Sequence, residues 1–216
     1  KEEKKMTDFL IYFAFSVISY LLGSINTGIL VSKILYNDDV RNYGSHNAGA
    51  TNILRTYGKK AAAITVLGDA LKGVIAILLV RLVYFCFKNA HLPDLRSVTY
   101  FAALFAVLGH NFPVYFKFKG GKGVLTSITV IIMLDPFVGL ATLVISILIM
   151  AATKYVSLGS VMGAFIAAAL AVFFRTDDLG FVVLCVLLAG LIIYRHRGNI
   201  VRLAHGTESK LGRRKR

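Results

Sequence analysis

The sequence predicts an all-α integral membrane protein, a polytopic bundle of transmembrane helices. The chain has 216 residues, and 56% of them are hydrophobic, whereas a soluble domain contains about 45–50% apolar residues. The apolar residues are gathered into long runs, and about twenty helical residues suffice to cross the hydrocarbon core of a bilayer. The basic residues lie mostly between those runs. Together these observations indicate one membrane domain.

Seven apolar runs predict seven transmembrane helices. They cover 9–31, 61–87, 97–108, 124–133, 137–152, 161–174 and 179–194. Because several runs are shorter than a full span, five helices is the alternative count. Both counts are odd, so the two termini lie on opposite faces of the membrane. Asp135 and Pro136 separate the fourth run from the fifth, since a residue that precedes proline is biased out of the helical conformation.

The distribution of charge predicts the orientation. The chain carries 25 Lys and Arg against 11 Asp and Glu, for a net charge of +14. Of the basic residues, 17 lie on one predicted face, in segments 33–60, 109–123, 154 and 195–216, and six lie on the other. The positive-inside rule places the first face, with the C-terminus, in the cytoplasm and the N-terminus outside. Anionic lipid headgroups or anionic substrates explain loops of this kind better than nucleic acid, which we do not expect as a partner.

The most unusual stretch, residues 109–123, reads GHNFPVYFKFKGGKG. Gly120, Gly121 and Gly123 surround Lys122, so backbone amides and one ammonium group could converge on an anion. This pattern predicts a phosphate cradle. It differs from the nucleotide P-loop, whose Gly-x-x-x-x-Gly-Lys-Ser/Thr spacing is absent. The alternative interpretation is a basic turn at the membrane surface whose glycines serve tight packing.

A second polar segment, residues 37–60, lacks apolar periodicity and is rich in short side chains that form hydrogen bonds. It contains Ser45, His46, Asn47, Thr51 and Asn52. A merely solvated loop usually holds more Lys, Glu and Pro. We therefore predict a structured loop that binds a polar ligand.

Two charged residues and two cysteines lie within apolar runs. Asp69 and Lys72 are three residues apart and share one face of a helix. Charges inside a span are functional candidates, and a self-neutralising pair that orients the helix is the alternative. Cys86 and Cys185 are predicted to be packing residues, without a disulfide.

Three segments together resemble a known family. They are GSHNAGATNILR at 44–55, the stretch at 109–123, and RHRGNIVRLAHGTE at 195–208. In this order they are similar to the signature segments of the bacterial membrane glycerol-3-phosphate acyltransferases that use acyl phosphate (PlsY type). The resemblance implies transfer of a fatty acyl group from acyl phosphate to the 1-hydroxyl of sn-glycerol 3-phosphate, which gives lysophosphatidic acid for phospholipid synthesis. It also implies a multi-pass helical protein of the bacterial plasma membrane, with its active site on the cytoplasmic face and no cofactor.

That resemblance divides the chain into a single transmembrane acyltransferase domain, 1–208, and a basic cytoplasmic tail, 209–216. Because both substrates carry phosphate, the site must hold two anions, for which Arg and Lys are suited. We assign catalytic roles to Ser45, Arg55, Lys122, His196 and Asn199. We assign substrate binding to Asn47, Thr51, Asn52, His110, Gly120, Gly121, Gly123, Ser157, Ser160 and Arg195. Histidines and carboxylates lack the spacing of metal ligands, so no metal is predicted.

The implied reaction requires the protein to position its two substrates more than to activate them. Acyl phosphate is a mixed anhydride, and preordered donors that meet the developing charge would supply most of the stabilisation. The His-x-x-x-x-Asp motif of other acyltransferases is absent. Our hypothesis is that a phosphate oxygen of the acyl donor takes the hydroxyl proton, and the rival is His196 as general base. A transporter or binding protein for an organic phosphate or phospholipid is the alternative function.

Overall fold

A computed structural model describes residues 2–87 and 92–212, and in these ranges the chain is helical without a strand. The α-helices, in chain order from α1 to α10, are Glu2–Ser24, Thr27–Tyr36, Ala50–Tyr57, Lys59–Cys86, Leu95–Asn111, Val124–Leu134, Pro136–Thr153, Val156–Phe174, Leu179–Arg195 and Arg197–Ala204. Short 3-10 turns occupy Val40–Asn42 and Val114–Phe116. Residues 213–216 of the predicted tail lie outside the described ranges.

Five stretches of the described chain are long and apolar enough to cross a membrane. They are Glu2–Tyr36 (α1 with α2), α4, Leu95–Phe116 (α5 with its 3-10 turn), α7 and α8. A sixth crossing is present if α9 and α10, bent by 61° at their junction, count as one span. Helix α6 has 11 residues and is about 16 Å long, short of a core of about 30 Å. The chain is thus an integral membrane protein, while seven crossings remain a prediction.

The first span is broken between α1 and α2. Asn26 lies at the break, and its side chain caps α2 by accepting a hydrogen bond from the Ile29 amide at 3.1 Å. Such a cap satisfies one of the amides that a helix start leaves free. The carbonyl of Ile25, freed by the same break, accepts a hydrogen bond from Lys72 at 3.1 Å. Asn26, a polar residue within the first apolar run, therefore stabilises the start of α2 at the helix break.

Helix α5 packs against α1, α4, α6 and α9 at the centre of the bundle. The largest buried cluster joins helices α4 to α9 through Ile77, Ala103, Val107, Val130, Ile131, Val138, Ala167, Ala171, Phe181, Leu184, Cys185 and Leu188. Cys185 is thus a packing residue, as predicted, whereas Cys86 is exposed at the end of α4. Both cysteines are free thiols.

Helix α6 is short because the glycine-rich loop before it reaches into the bundle. Near its start, Thr126 donates a hydrogen bond to the carbonyl of Asp69 at 3.2 Å, and near its end the Met133 carbonyl accepts one from Arg81 at 2.7 Å. Asp69 lies ten residues into α4, about 15 Å from the start of that helix. The loop that carries Lys122 is therefore recessed below the end of the bundle.

The opposite end of α6 confirms the predicted break. The helix ends at Leu134 and α7 begins at Pro136. The Asp135 side chain accepts a hydrogen bond from the Val138 amide at 2.9 Å and forms an ion pair with Arg175 at the end of α8. Burial raises the pKa of Asp135, but the bonds from Arg175 and the Val138 amide outweigh it and hold that pKa below its usual value.

Candidate active site

One cavity, of about 380 Å³, brings the three unusual segments together at the recessed end of the bundle. Of the fifteen predicted site residues, twelve line it: Ser45, Asn47, Thr51, Asn52, Arg55, His110, Lys122, Gly123, Ser157, Ser160, His196 and Asn199. Gly120, Gly121 and Arg195 are not among the lining residues. Segments that are far apart in the sequence therefore meet at one end of the cavity, and this end is polar.

Asn52 holds the first polar loop in shape. The side chain is buried, and its Oδ1 accepts a hydrogen bond from the Ser45 amide at 3.1 Å. Its Nδ2 donates to the carbonyls of Val40, Tyr43 and Asn47 at 2.9–3.0 Å. The amide group is thus engaged by the loop itself, so Asn52 orders the donors around it although we predicted it to bind substrate.

Gly120 and Gly121 make contacts within the loop, and their predicted role in binding substrate stays a prediction. The Gly121 amide donates to the His110 carbonyl at 3.1 Å, and the carbonyls of Gly121 and Gly120 accept hydrogen bonds from Arg195 at 3.1 and 3.2 Å. A Cβ on Gly121 would collide with the His110 ring, and one on Gly120 with Pro113. Glycine is required here for close packing, and only Gly123 of the three lines the cavity.

Arg195 holds the loop instead of facing the cavity. Besides its two bonds to the glycine carbonyls, its guanidinium lies over the Phe112 ring, 5.1 Å from the ring centre. A planar guanidinium can stack on an aromatic face and donate at its edge at the same time. In this structure Arg195 positions the loop, and its predicted role in binding substrate stays a prediction.

Lys122 begins a chain of polar contacts across the mouth of the cavity. Its ammonium group donates to Asn199 Oδ1, and Asn199 Nδ2 donates to Glu208 Oε1 at 2.7 Å. Glu208 also accepts from Ser157 at 2.9 Å and from Arg202 at 2.7 Å. We call these five residues the outer cluster. Glu208 was not among the predicted site residues, and the only signal of its place was its position in the third signature segment.

Burial dominates the electrostatics of this cluster. It lowers the pKa of Lys122 to about 8; Glu208 opposes the shift, and Arg202, Arg195 and Arg55 add to it. Burial raises the pKa of Glu208, but hydrogen bonds from Asn199, Arg202 and Ser157 outweigh it, so that this pKa lies below its usual value. Lys122 is therefore a cation near neutral pH in a surplus of positive charge, which an anionic ligand would relieve.

His196 presents a defined tautomer if it is neutral. The ring is buried, and Nδ1 lies 2.8 Å from the Ile192 carbonyl. Because a carbonyl only accepts, Nδ1 carries the hydrogen and Nε2 is the acceptor nitrogen. His196 lines the cavity, so it is suited to accept a hydrogen bond from a hydroxyl group there.

Asp69 and Lys72 form a buried cluster with His110 behind the glycine loop. Lys72 Nζ lies 2.9 Å from Asp69 Oδ1 and 2.7 Å from His110 Nδ1, and all three side chains are at least 95% buried. We call these three residues the inner cluster. Because the His110 ring also fills the space beside Gly121, the inner cluster supports the loop from below. This geometry favours the structural interpretation of the Asp69–Lys72 pair and gives His110 a packing role besides its place in the cavity wall.

Arg55 stands at the open edge of the cavity. Its guanidinium donates to the Ser209 carbonyl at 3.1 Å, and the Leu211 amide donates to the Lys154 carbonyl at 2.8 Å. The segment after Glu208 therefore crosses from α3 to the start of α8. Arg55 is held beside the mouth by one hydrogen bond from Nη2 to the chain's own backbone.

Beyond its polar end, the cavity continues as an apolar chamber between helices α6, α7, α8 and α9. Its walls include Leu125, Ile128, Leu143, Met150, Ala164, Leu188 and Ile192. Ser127, one turn into α6, lies on this wall, and its buried Oγ has no hydrogen-bond partner in the described chain. Sequence reasoning missed Ser127, which looks like an ordinary small residue within an apolar run.

Comparison with known proteins agrees with this architecture. Residues 13–206 match the family described as glycerol-3-phosphate acyltransferase. The chain is 43% identical over 204 residues to a glycerol-3-phosphate acyltransferase of Clostridioides difficile, covering 94% of this chain and 97% of the relative. It is 44% identical over 195 residues to that of Neisseria meningitidis serogroup C, covering 90% and 94%.

Two solved structures have the same fold. Both are crystal structures of PlsY (YgiH), an integral membrane glycerol 3-phosphate acyltransferase. The glycerol 3-phosphate form has a TM-score of 0.82 at 37% identity and covers 93% of this chain and 96% of that one. The lysophosphatidic acid form has a TM-score of 0.79 at 35% identity and covers 93% and 95%. This chain therefore belongs to the glycerol-3-phosphate acyltransferase family.

Proposed function

We propose that the protein transfers a fatty acyl group from acyl phosphate to the 1-hydroxyl of sn-glycerol 3-phosphate. The products are lysophosphatidic acid and phosphate. The observation that carries this proposal is the shape of the cavity, which joins a cationic, hydroxyl-rich end to an apolar chamber. An acyl phosphate has the same two-part chemistry. The solved relatives in glycerol 3-phosphate and lysophosphatidic acid forms support the acceptor and the product.

Lys122 and Arg55 are our candidates for the principal phosphate ligands. Ser45, Asn47 and Thr51 would add neutral donors from the first loop, and Ser157 and Ser160 from α8, since all line the polar end. Asn199, which accepts from Lys122, would orient that ammonium and contact the glycerol hydroxyls. A phosphate that displaces the Ser209 carbonyl from Arg55 would gain a charged, two-pronged donor.

The reaction is a substitution at the acyl carbonyl. The 1-hydroxyl oxygen of glycerol 3-phosphate attacks the carbonyl carbon, a new ester C–O bond forms, and the C–O bond to phosphate breaks with its electron pair leaving on phosphate. The hydroxyl proton passes to a phosphate oxygen of the leaving group in our hypothesis. The competing route passes it to His196 Nε2, the acceptor nitrogen of the ring in its neutral form.

Ser127 is our candidate for the group that meets the acyl carbonyl. It lies at the boundary between the polar end and the chamber, one turn beyond Gly123, where the carbonyl of a bound acyl phosphate would lie. Its buried hydroxyl has no partner in the described chain, and a buried donor without a partner is unfavourable unless a ligand satisfies it. A hydrogen bond that strengthens as the carbonyl oxygen gains charge would favour the transition state.

We infer that the site lies on the cytoplasmic face of a plasma membrane, with seven crossings and the N-terminus outside. The uneven division of basic residues, 17 against six, supports this orientation. The recessed loop supports counting α6 as a crossing, because the loop before it covers part of the membrane depth. Accessibility of single cysteines in a variant lacking Cys86 and Cys185 tests the topology: at position 119 labelling should require permeable reagents, and at position 177 it should not.

An acyl-transfer assay tests the function. Purified protein receives acyl phosphate or acyl-coenzyme A with labelled glycerol 3-phosphate, beside Lys122→Ala and the exposed control Lys119→Ala. We expect the protein to form lysophosphatidic acid with acyl phosphate as donor and none with acyl-coenzyme A. Lys122→Ala should abolish this product, and Lys119→Ala should retain it. Product from acyl-coenzyme A alone would contradict the proposed donor. Binding of glycerol 3-phosphate without product from either donor would favour the transport or binding function.

A further inference from the structure

The apolar chamber has a closed end. Its deepest lining residues lie on four different helices, namely Ile131 on α6, Thr142 on α7, Ala167 on α8 and Cys185 on α9. None of the four is more than 4% exposed, so the chamber does not reach the lipid there. We call these four residues the chamber floor.

The helices give the depth of the chamber. Cys185 lies eleven residues before His196 along α9, and Ala167 lies ten residues after Ser157 along α8. At a rise of about 1.5 Å per residue, both measures place the floor about 15 Å from the polar end. Carbon–carbon bonds of about 1.5 Å advance a zigzag chain by about 1.3 Å per carbon. The chamber therefore takes roughly a dozen carbons of an extended acyl chain.

The side of the chamber is open to the hydrocarbon. Val66 on α4 and Ile147 on α7 also line the cavity, yet they are 40% and 52% exposed. On a membrane helix such exposure faces lipid, so these residues border a side window. A fatty chain could enter through this window, since it leaves hydrocarbon for an equally apolar space. The bound chain can then take one of two paths. It can extend along the chamber to the floor, or it can turn back and leave through the window.

The floor contains small side chains where the surrounding core has larger ones. Ala167 and Cys185 leave space that Leu or Phe would fill, and the neighbouring core cluster already contains Val138, Phe181 and Leu184. Thr142 adds an independent observation, because its Oγ1 is buried without a partner in the described chain while it lines the cavity. The floor therefore closes the end of the cavity with side chains of the packed core cluster, two of which are small.

We propose that the chamber floor sets the length of acyl chain that the enzyme prefers. The chain lies in the chamber with its terminal methyl group against Ala167 and Cys185, and longer chains must bend or protrude through the window. This inference rests on the proposed acyl transfer. It makes the floor residues determinants of specificity that touch the end of the substrate farthest from the chemistry.

Ala167→Phe tests the proposal by raising the floor. The readout is the ratio of kcat/KM for decanoyl phosphate to that for lauroyl phosphate, whose twelve carbons just reach the unmodified floor. One methylene that fits or fails to fit an apolar pocket changes selectivity by about tenfold or more, so we expect the ratio to rise at least tenfold. Activity with decanoyl phosphate shows that the variant is folded. The matched control is Ala169→Phe, which adds the same side chain to an exposed position of the same helix and should leave the ratio unchanged.

Ile131→Ala makes the opposite change, because it removes side-chain volume from the floor. It tests the proposal independently if Ala167→Phe does not fold. It deepens the floor beyond about a dozen carbons, so we expect the ratio of kcat/KM for myristoyl phosphate to that for lauroyl phosphate to rise severalfold. An unchanged length profile in the variants that fold would overturn the inference and place the chain in the window. The proposed function fails separately, if the unmodified protein uses no acyl phosphate of any length.

Discussion

The inner and outer clusters lie on two sides of the same glycine loop and differ in how they are solvated. The inner cluster, Asp69 with Lys72 and His110, lies between helices with its side chains at most 5% exposed. The outer cluster, which joins Lys122 to Glu208, borders the mouth, and the side chain of its Arg202 is 44% exposed. The inner network is closed off from water except where Asp69 and His110 line the cavity, whereas the outer network reaches water through Arg202.

This difference separates two tasks. A buried pair must be fully satisfied because the removal of one partner leaves an uncompensated charge, so the inner cluster holds one geometry. At the mouth, water and substrate can replace protein contacts, so the outer cluster can change partners during binding. We infer that the inner cluster fixes the position of the loop, whereas the outer cluster adjusts the charge that meets phosphate. The predictions below test this division.

Lys72→Met should have the largest effect. It leaves Asp69 buried and unpaired and removes a donor from the Ile25 carbonyl, so we expect a loss of about 3–5 kcal/mol in folding stability and little active protein. Thermal unfolding in detergent measures the first effect, and the acyl-transfer assay the second.

The double variant Asp69→Asn with Lys72→Met is the matched control for charge. It removes both charges, so much of the lost stability should return even though activity stays low. If the double variant were less stable than Lys72→Met, an unpaired Asp69 would not explain the loss. Lys72→Arg keeps the charge and should be more stable than Lys72→Met.

Gly121→Ala should have the next largest effect, because its Cβ would meet the His110 ring. Overpacking of this kind costs about 1–3 kcal/mol, and the shift of the loop should raise the KM for glycerol 3-phosphate about tenfold or more. Gly190→Ala is the control, since a Cβ there meets nothing within 4 Å. Equal kinetics for the two variants would show that the His110 contact does not position the loop.

Much of the fold follows from sequence patterns because membrane burial acts over whole segments. Apolar runs marked the membrane helices, and Asp135 with Pro136 marked the break between α6 and α7. The length of α6 followed from the apolar run at 124–133. Its depth did not, because depth depends on how far the preceding loop enters the bundle. That depth is a tertiary property, fixed by contacts such as the one from Thr126 to Asp69.

The sequence predicted which residues lie at the candidate site better than it predicted what each of them does there. The glycines around Lys122 and the third signature segment, which contains Asn199, pointed to these two residues, and both line the cavity. The role of Arg195 depends on its angle to two distant carbonyls, which spacing along the chain does not specify. Ser127 carries no charge and breaks no pattern, so only its unpaired hydroxyl in the structure distinguishes it.

The pH dependence of substrate binding should report the outer cluster. Lys122, whose pKa is about 8, is charged below that pH and loses its charge as pH rises through it. A charge-assisted hydrogen bond contributes about 1.5–3 kcal/mol, so we expect the KM for glycerol 3-phosphate to rise about tenfold between pH 7 and pH 9.5. Lys122→Arg stays charged over this range and should lack the rise. A rise that persists in Lys122→Arg would assign the titration to another group.

Glu208→Gln and Arg202→Gln should move that pH limb by small amounts in opposite directions. Glu208 raises the pKa of Lys122 and Arg202 lowers it, so loss of the carboxylate should shift the limb to lower pH and loss of the guanidinium to higher pH. Partly exposed ion pairs contribute about 0.2–1 kcal/mol, which corresponds to at most about a threefold change in KM at pH 8. Initial rates across pH for both variants measure the shifts. If both variants shifted the limb in the same direction, the two residues would act by holding the C-terminal segment in place. The inference that the outer cluster adjusts the charge that meets phosphate would then be wrong.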